Sequence, residues 1–159
     1  MDLLTTRTID VTKLALDGLM LRQKAITANT ANVLSPGYQR KEVNFESQLK
    51  EIVEKEDLKT MIKEQNSIEY NPNSLDVMMN RSQPKLTSQQ MRFLQTDSYG
   101  NYNPQIIDDT LSGSDESGNN VDLESEVMDM ANVGMKYNVL ATLEQRSIKN
   151  LSDAIRGDV

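Results

Sequence analysis

The side chains best suited to chemistry in this 159-residue chain are two pairs of adjacent carboxylates, Asp108 with Asp109 and Asp115 with Glu116. Paired acids can exchange a proton with a reacting group or hold Ca²⁺. The first role requires burial in a cleft, and the second requires oxygen ligands at calcium-loop spacing. The run Asp115-Glu-Ser-Gly-Asn-Asn-Val-Asp122 has the oxygens but neither that spacing nor its closing glutamate. Both pairs therefore read as solvated linker acids. The chain has no Cys and no His, which removes disulfides, thiolate nucleophiles, the usual proton shuttle and the commonest metal ligand. No phosphate-binding glycine loop, dinucleotide fingerprint or nucleophile elbow is present. The expectation is a non-enzyme with no cofactor, metal site or small-molecule substrate; a pocket with buried carboxylates would reverse it.

Patterning, rather than chemistry, carries the signal. Val11, Leu14, Gly18, Leu21, Ala25, Ala28 and Asn32 alternate steps of three and four, as the a and d positions of a helix packing along another helix do. At the far end Val127, Met130, Gly134, Tyr137, Ala141, Glu144, Ile148, Leu151 and Ile155 repeat that alternation with one charged interruption. The expected fold class is mainly α. Long N- and C-terminal helices pack as an antiparallel coiled coil, with a shorter third helix and an irregular central arm with little β. The first helix is expected over 9–33 and the last from about 120 to 156, roughly 37 and 50 Å long. Thr5, Thr6 and Thr8 are placed to cap or delay the first helix, behind an apolar tip of Leu3 and Leu4. Leu16, Leu19, Met20, Ile26 and Val33 widen its apolar face beyond what one partner covers, so a third helix or other subunits must pack there. Leu14, Leu21, Ala25 and Ile26 are expected to meet Met130, Leu140, Ile148 and Leu151, as core or as subunit interface. Gly18 and Gly134 are either tolerated glycines or points of close backbone approach. Tyr137 reads as an ordinary core residue, and Gly157 as the stop of the last helix.

The first helix must end near Ser35, because Pro36 disfavours helical geometry there and Pro-Gly suits the centre of a type II turn. Tyr38 could anchor that turn to the helix or touch a neighbour. The whole phrase Asn29-Thr-Ala-Asn-Val-Leu-Ser-Pro-Gly-Tyr38 resembles the N-terminal signature of the bacterial flagellar rod, hook and hook-associated proteins, through Asn29, Ala31, Asn32, Ser35, Pro36, Gly37 and Tyr38. Near the C-terminus Gly118-Asn-Asn-Val-Asp-Leu-Glu124, followed by Glu126, Ala131 and Tyr137, resembles the second signature of the proximal rod proteins, through Asn120, Val121, Asp122, Leu123 and Glu124. The resemblance covers about the first fifty and last forty residues. It implies a structural subunit of the proximal rod of the flagellar basal body, on the periplasmic side of the inner membrane, transmitting torque and forming part of the axial export channel. It also implies unfolded export by the flagellar type III system without a cleaved signal peptide. The implied partners are other copies, sister rod proteins, and membrane-ring and export-gate components at the rod base. Another rod or hook-type axial protein is an alternative, and a soluble coiled-coil adaptor or export chaperone is one from a different class.

Composition fits such a life. Apolar residues are 37% and aromatics 4%, with nine Met and no Trp, so helical stripes rather than one large core are expected. The net charge of -7 argues against nucleic acid. Through Lys41 there are six Lys or Arg against three Asp, while 101–135 holds eight acids and no base. The acidic stretch reads as a solvated linker and helix start; the alternative is that it attracts the basic N-terminal region, within a subunit or between subunits. Neither a secretory signal nor an apolar run able to span a membrane is evident.

The expected division is 1–56, an N-terminal helical region with the Pro-Gly turn and a second helix; 57–119, a central arm and linker; and 120–159, the last helix. The two ends then form one helical domain. In detail, 39–43 reads as extended, and Asn44 as N-cap of a helix to about Lys55 with an apolar stripe of Phe45, Leu49, Ile52 and Val53. Asn71, Pro72 and Asn73 punctuate a loop before an apolar island of Leu75, Val77, Met78 and Met79. After Pro84 a short helix capped at Thr87 or Ser88 is expected, then a strand at Ile106 and Ile107 and a mobile linker over 112–119. Asn120 or Asp122 caps the last helix.

Overall fold

The computed structural model describes residues 3–66, 87–97 and 99–157, with the backbone alone over 3–6 and 63–66. Among them the chain is mainly helical, in the order α1 (Leu3–Ala31), β1 (Lys41–Val43), α2 (Glu46–Asn66), α3 (Ser88–Gln95), β2 (Ile106–Asp108) and α4 (Leu123–Arg156). The loop residues Asn71, Pro72 and Asn73, the island from Leu75 to Met79, and Pro84 lie outside the described residues. The chain divides into two compact units, Met1–Leu49 with Tyr102–Val159, and Lys50–Asn101.

In the first unit α1 packs along α4, and β1 rests on α1. β1 and β2 pair antiparallel, with Lys41 opposite Asp108, Glu42 opposite Ile107 and Val43 opposite Ile106. The core gathers Leu19, Ala25, Ile26, Val43, Phe45 and Val133, with Leu21, Leu49, Tyr102, Tyr137 and Leu140 packed against it. Gly18 has a specific reason to be glycine. A Cβ there would lie 2.5 Å from the Phe45 ring, so a ring from the returning chain, not a second helix backbone, occupies the missing side chain's space. Gly134 has open space around it. The Tyr102 hydroxyl donates to the Leu14 carbonyl at 2.6 Å and ties the chain before β2 to α1.

The second unit holds most of α2, and α3. Thr87, one of the two expected caps, caps α3 through a capping box with Gln90. Lys55 is buried; its Nζ donates to Thr96 Oγ1 at 3.1 Å and lies 5.9 Å from the Phe93 ring centre.

Several boundaries differ from expectation. α1 begins at Leu3, so Thr5, Thr6 and Thr8 lie inside it. Threonine costs roughly 0.7 kcal/mol or less relative to Ala in a helix, too little to stop one this long. α2 starts at Glu46, because the Phe45 carbonyl, not that of Asn44, accepts the Leu49 amide. It runs past Lys55 to Asn66 because 56–66 contains neither Gly nor Pro, and Lys59 pairs with Glu56 one turn back at 2.7 Å. Asp122, not Asn120, caps α4. The expected stop at Gly157 is present, with φ at 76°.

The inward face of α4 is turned from the expected seam. Glu126, Val133 and Ser147 are its buried residues, joined by half-buried Tyr137, Leu140, Glu144 and Leu151. That face shares Tyr137, Glu144 and Leu151 with the expected seam, but takes Glu126, Val133, Leu140 and Ser147 in place of Val127, Gly134, Ala141 and Ile148. The rotation follows from Glu126, which is drawn inward by a cation.

Candidate functional site

That cation belongs to a polar clasp in which the two end motifs close on each other. α1 stops at Ala31, and Ser35-Pro-Gly-Tyr38 makes the expected turn, with Gly37 at φ 72° and the Tyr38 amide donating to the Ser35 carbonyl at 3.2 Å. The turn folds β1 back along the end of α1. There the buried Asn29 side chain pairs with one residue as a neighbouring strand would. Its Nδ2 donates to the Lys41 carbonyl at 2.9 Å, and its Oδ1 accepts from the Lys41 amide at 2.7 Å and the Tyr38 hydroxyl at 3.3 Å. Asn32 Nδ2 donates to the Ala28 carbonyl and its Oδ1 accepts from the Ser35 hydroxyl.

The C-terminal motif plugs into this turn. Asn119 is buried, and its Nδ2 lies 3.0 Å from the carbonyls of Asn32, Val33 and Ser35, so it closes the open end of α1. The Gly37 amide donates to the Ser117 carbonyl at 2.9 Å. A Cβ on Gly118 would stand 3.6 Å from the Gly37 Cα, so two positive-φ glycines face each other there. Asn120 Oδ1 accepts from the Arg40 amide at 2.5 Å while its Nδ2 donates to the Asp109 carbonyl at 2.7 Å. The Asp109 amide in turn donates to the Arg40 carbonyl at 2.7 Å. Asn120 thereby replaces the bond that would otherwise continue the β1–β2 ladder.

Arg40 sits at the centre. Its Nε meets Glu126 Oε1 at 2.7 Å, its Nη2 meets Asp129 at 3.3 Å and its Nη1 meets Asp109 at 3.5 Å. Glu126 has 0% exposure, and its Oε2 accepts no hydrogen bond from the described residues. Burial opposes the Arg40 charge, but Glu126 and Asp109 outweigh it and hold the guanidinium's proton more tightly than usual. The Ser112 hydroxyl, the Leu111 and Ser112 amides and Arg40 pull the Asp109 carboxyl down to about 2. The Ser117 hydroxyl and nearby amides lower Asp115, and the Ser125 hydroxyl and nearby amides lower Asp122.

Asp109 is buried rather than a solvated linker acid, while Asp115 is exposed as expected but tied into its loop. Each anchors a turn, and 112–119 folds around Asp115 through the Ser117 and Asn119 amides. Asp108, which pairs with Lys41, and Glu116 are exposed as expected. Asp109 is engaged by Arg40, the Ser112 hydroxyl and the Leu111 and Ser112 amides. Among the described residues no group of three or more acids is placed to hold a metal.

The remaining motif residues separate cleanly. Val121 is half-buried; Ala31, Pro36, Leu123 and Glu124 are exposed. Of the seam residues, Gly18, Ala25 and Ile26 are buried, Val11, Leu14, Leu21, Ala28, Gly134, Tyr137, Leu140, Ala141 and Leu151 half-buried, and Val127, Met130, Ile148 and Ile155 exposed. Sequence reading passed over Arg40, Asn119 and Val133 as site residues. The opposed charges of the two end regions were the signal for Arg40; nothing in the spacing singled out Asn119.

Beside the clasp, α1, β1 and α4 bound a groove of about 280 Å³. Ala25, Ile26, Val43 and Val133 line it with apolar groups, Arg22, Arg40, Lys41 and Lys136 with cations, and Glu42 and Asp129 with carboxylates, four positive charges against two negative. No described helix is long and apolar enough to cross a membrane.

The chain is mainly helical, and its ends are clasped through both of the motifs that resemble flagellar rod signatures. Comparison with known proteins narrows the likeness. The chain is 25% identical over 150 residues to the flagellar basal body rod protein FlgB of Borreliella burgdorferi, covering 94% of this chain and 96% of that protein. It is 26% identical over 148 residues to FlgB of Borrelia hermsii, covering 93% and 95%. The chain is thus FlgB-like along nearly its whole length. Both relatives are named as rod proteins, not as enzymes. No protein-family model matches the chain.

Proposed function

We propose that this protein is a structural subunit of the proximal rod of the flagellar basal body, on the periplasmic side of the inner membrane. The likeness to FlgB over 94% of the chain carries the reading, and the clasp supports it by giving both end motifs one mechanical task. On this reading α1 and α4 pack as an antiparallel coiled coil, since Asn119, just before α4, reaches the end of α1. The ends, 1–56 and 120–159, form the helical domain, and 57–119 the arm, whose last part packs back on that domain.

Outward apolar side chains on α4, among them Val127, Met135, Val139, Ile148 and Ile155, are contacts for further copies and sister rod proteins. At about 25 cal/mol per Å² of apolar surface removed from water, such helical faces stiffen a rod more than the single chain's small core could. The assembled subunits line part of the export channel, carry torque, and meet the membrane ring and export gate at the base. Export is unfolded, through the flagellar type III system, and requires no signal cleavage; the absence of Cys leaves no disulfide to hinder threading.

Isolating basal bodies from cells whose own copy is replaced by a tagged chain tests this. The tag is expected in the rod fraction, with motility retained and both lost on deletion. Complete rods in the deleted cells would overturn the reading.

A further inference from the structure

The groove beside the clasp lies at the lower end of small-molecule site volumes, about 300–1,000 Å³, and its mixed apolar and charged lining suits side chains. Its cations are not equally engaged. Arg22 binds Glu46 at 2.5 Å, Arg40 binds three carboxylates and Lys41 pairs with Asp108. Lys136 is exposed and makes no ion pair with a described residue.

The complementary charge is on the same chain. Of the eight acids in 101–135, Asp108, Asp109, Glu126 and Asp129 pair with Arg40 or Lys41, and Asp115 and Asp122 accept turn and cap amides. Glu116 and Glu124 pair with no described cation. Glu116 lies in the 110–118 loop with Leu111, which is 97% exposed. That loop is preorganised: Asp109 holds the Leu111 and Ser112 amides at 2.9 and 3.1 Å, and Asp115 holds those beyond. A rigid loop presenting a leucine to water loses little freedom on docking. Its exposure also means that it does not fill its own groove.

We infer that the groove receives the 110–118 loop of a second copy of this chain, Leu111 entering it and Glu116 pairing with Lys136. The inference deepens the rod reading, which supplies the assembly in which copies meet. Loop and groove are different surfaces, so the contact is head-to-tail and each copy keeps one of each free. Such contacts propagate into rings or open helices.

The chain lacks cysteine, so single-cysteine crosslinking has no background. Chains carrying Glu116→Cys under one tag are mixed with chains carrying Lys136→Cys under another, then oxidised, both as concentrated purified protein and within isolated basal bodies. A disulfide joining the two tags is expected, and none when Glu54→Cys replaces Glu116→Cys. Lys136→Glu should weaken self-association at least about fivefold, with Glu116→Lys in the same chain restoring it. Both sites are exposed, so circular dichroism should not change. Self-association without a cross-tag disulfide overturns the inference, as does a double variant no better than the single one. Incorporation into basal bodies without the 116–136 disulfide sinks this contact alone. The disulfide in purified chains that never enter basal bodies sinks the rod reading alone.

Discussion

Asn29 makes three hydrogen bonds from a fully buried amide, two of them to the one residue that opens β1. Its replacement by Ala leaves the Lys41 amide and carbonyl without these partners in a part-buried site. Asn29→Ala should lower unfolding stability by about 2–3 kcal/mol, read from the urea midpoint. Ala28→Ser, beside it and half-buried, serves as control and should stay within about 1 kcal/mol. Asp109 sets a pH limit. Its carboxyl is held at about 2 in the fold, against about 3.9 in an unfolded chain. The folded state therefore binds the proton less readily than the unfolded chain, so this contribution is complete above about pH 4 and fades as pH falls toward 2. Thermal unfolding followed across that window should show the slope, and Asp109→Asn should flatten it. At the other extreme, burial pushes the Tyr102 hydroxyl up to about 12, with Asp17 and Glu46 adding to it. Its contribution is complete below about pH 10 and is lost as pH rises through 12.

At the scale of elements, the two seam glycines make opposite predictions from one sequence rule. Glycine inside a helix costs about 1 kcal/mol relative to Ala. At Gly134 nothing stands within 4 Å of an added Cβ, so Gly134→Ala should stabilise the purified chain by up to about 1 kcal/mol. At Gly18 the Phe45 ring is 2.5 Å away, and overpacking of that kind costs about 1–3 kcal/mol, enough to reverse the helical gain. Gly18→Ala should destabilise, and pairing it with Phe45→Leu should recover part of the loss in a double-mutant cycle. Equal effects at both glycines would show that the ring yields freely.

Across the whole molecule, inward and outward faces of α4 should separate stability from assembly. Val133 is buried in the core, and Val133→Ala should cost about 1–3 kcal/mol in the purified chain. Val139 is 68% exposed, so Val139→Lys should change that stability by less than about 0.5 kcal/mol while reducing incorporation into basal bodies. If Val139→Lys chains assemble normally, the outward stripe is not a subunit contact.

Much of this was determined by the sequence alone, because it rests on local rules. The Pro-Gly turn, the cap at Thr87 and the Gly157 stop each depend on residues within one turn of chain, and the helical stripes at both ends on the repeat along a single helix. The lack of Cys and His likewise bounded the chemistry before any fold was known. What only the tertiary structure decided depends on residues some eighty positions apart. Arg40 draws Glu126 inward and so rotates the face that α4 buries, a shift that periodicity cannot detect, since neighbouring heptad registers of an apolar-rich helix score alike. Asn119 reaches three carbonyls at the end of α1, and Asp109 becomes a buried turn anchor, because the C-terminal motif returns to the N-terminal one. Spacing along the chain carries no trace of that return; only the folded path brings those polar groups within bonding distance.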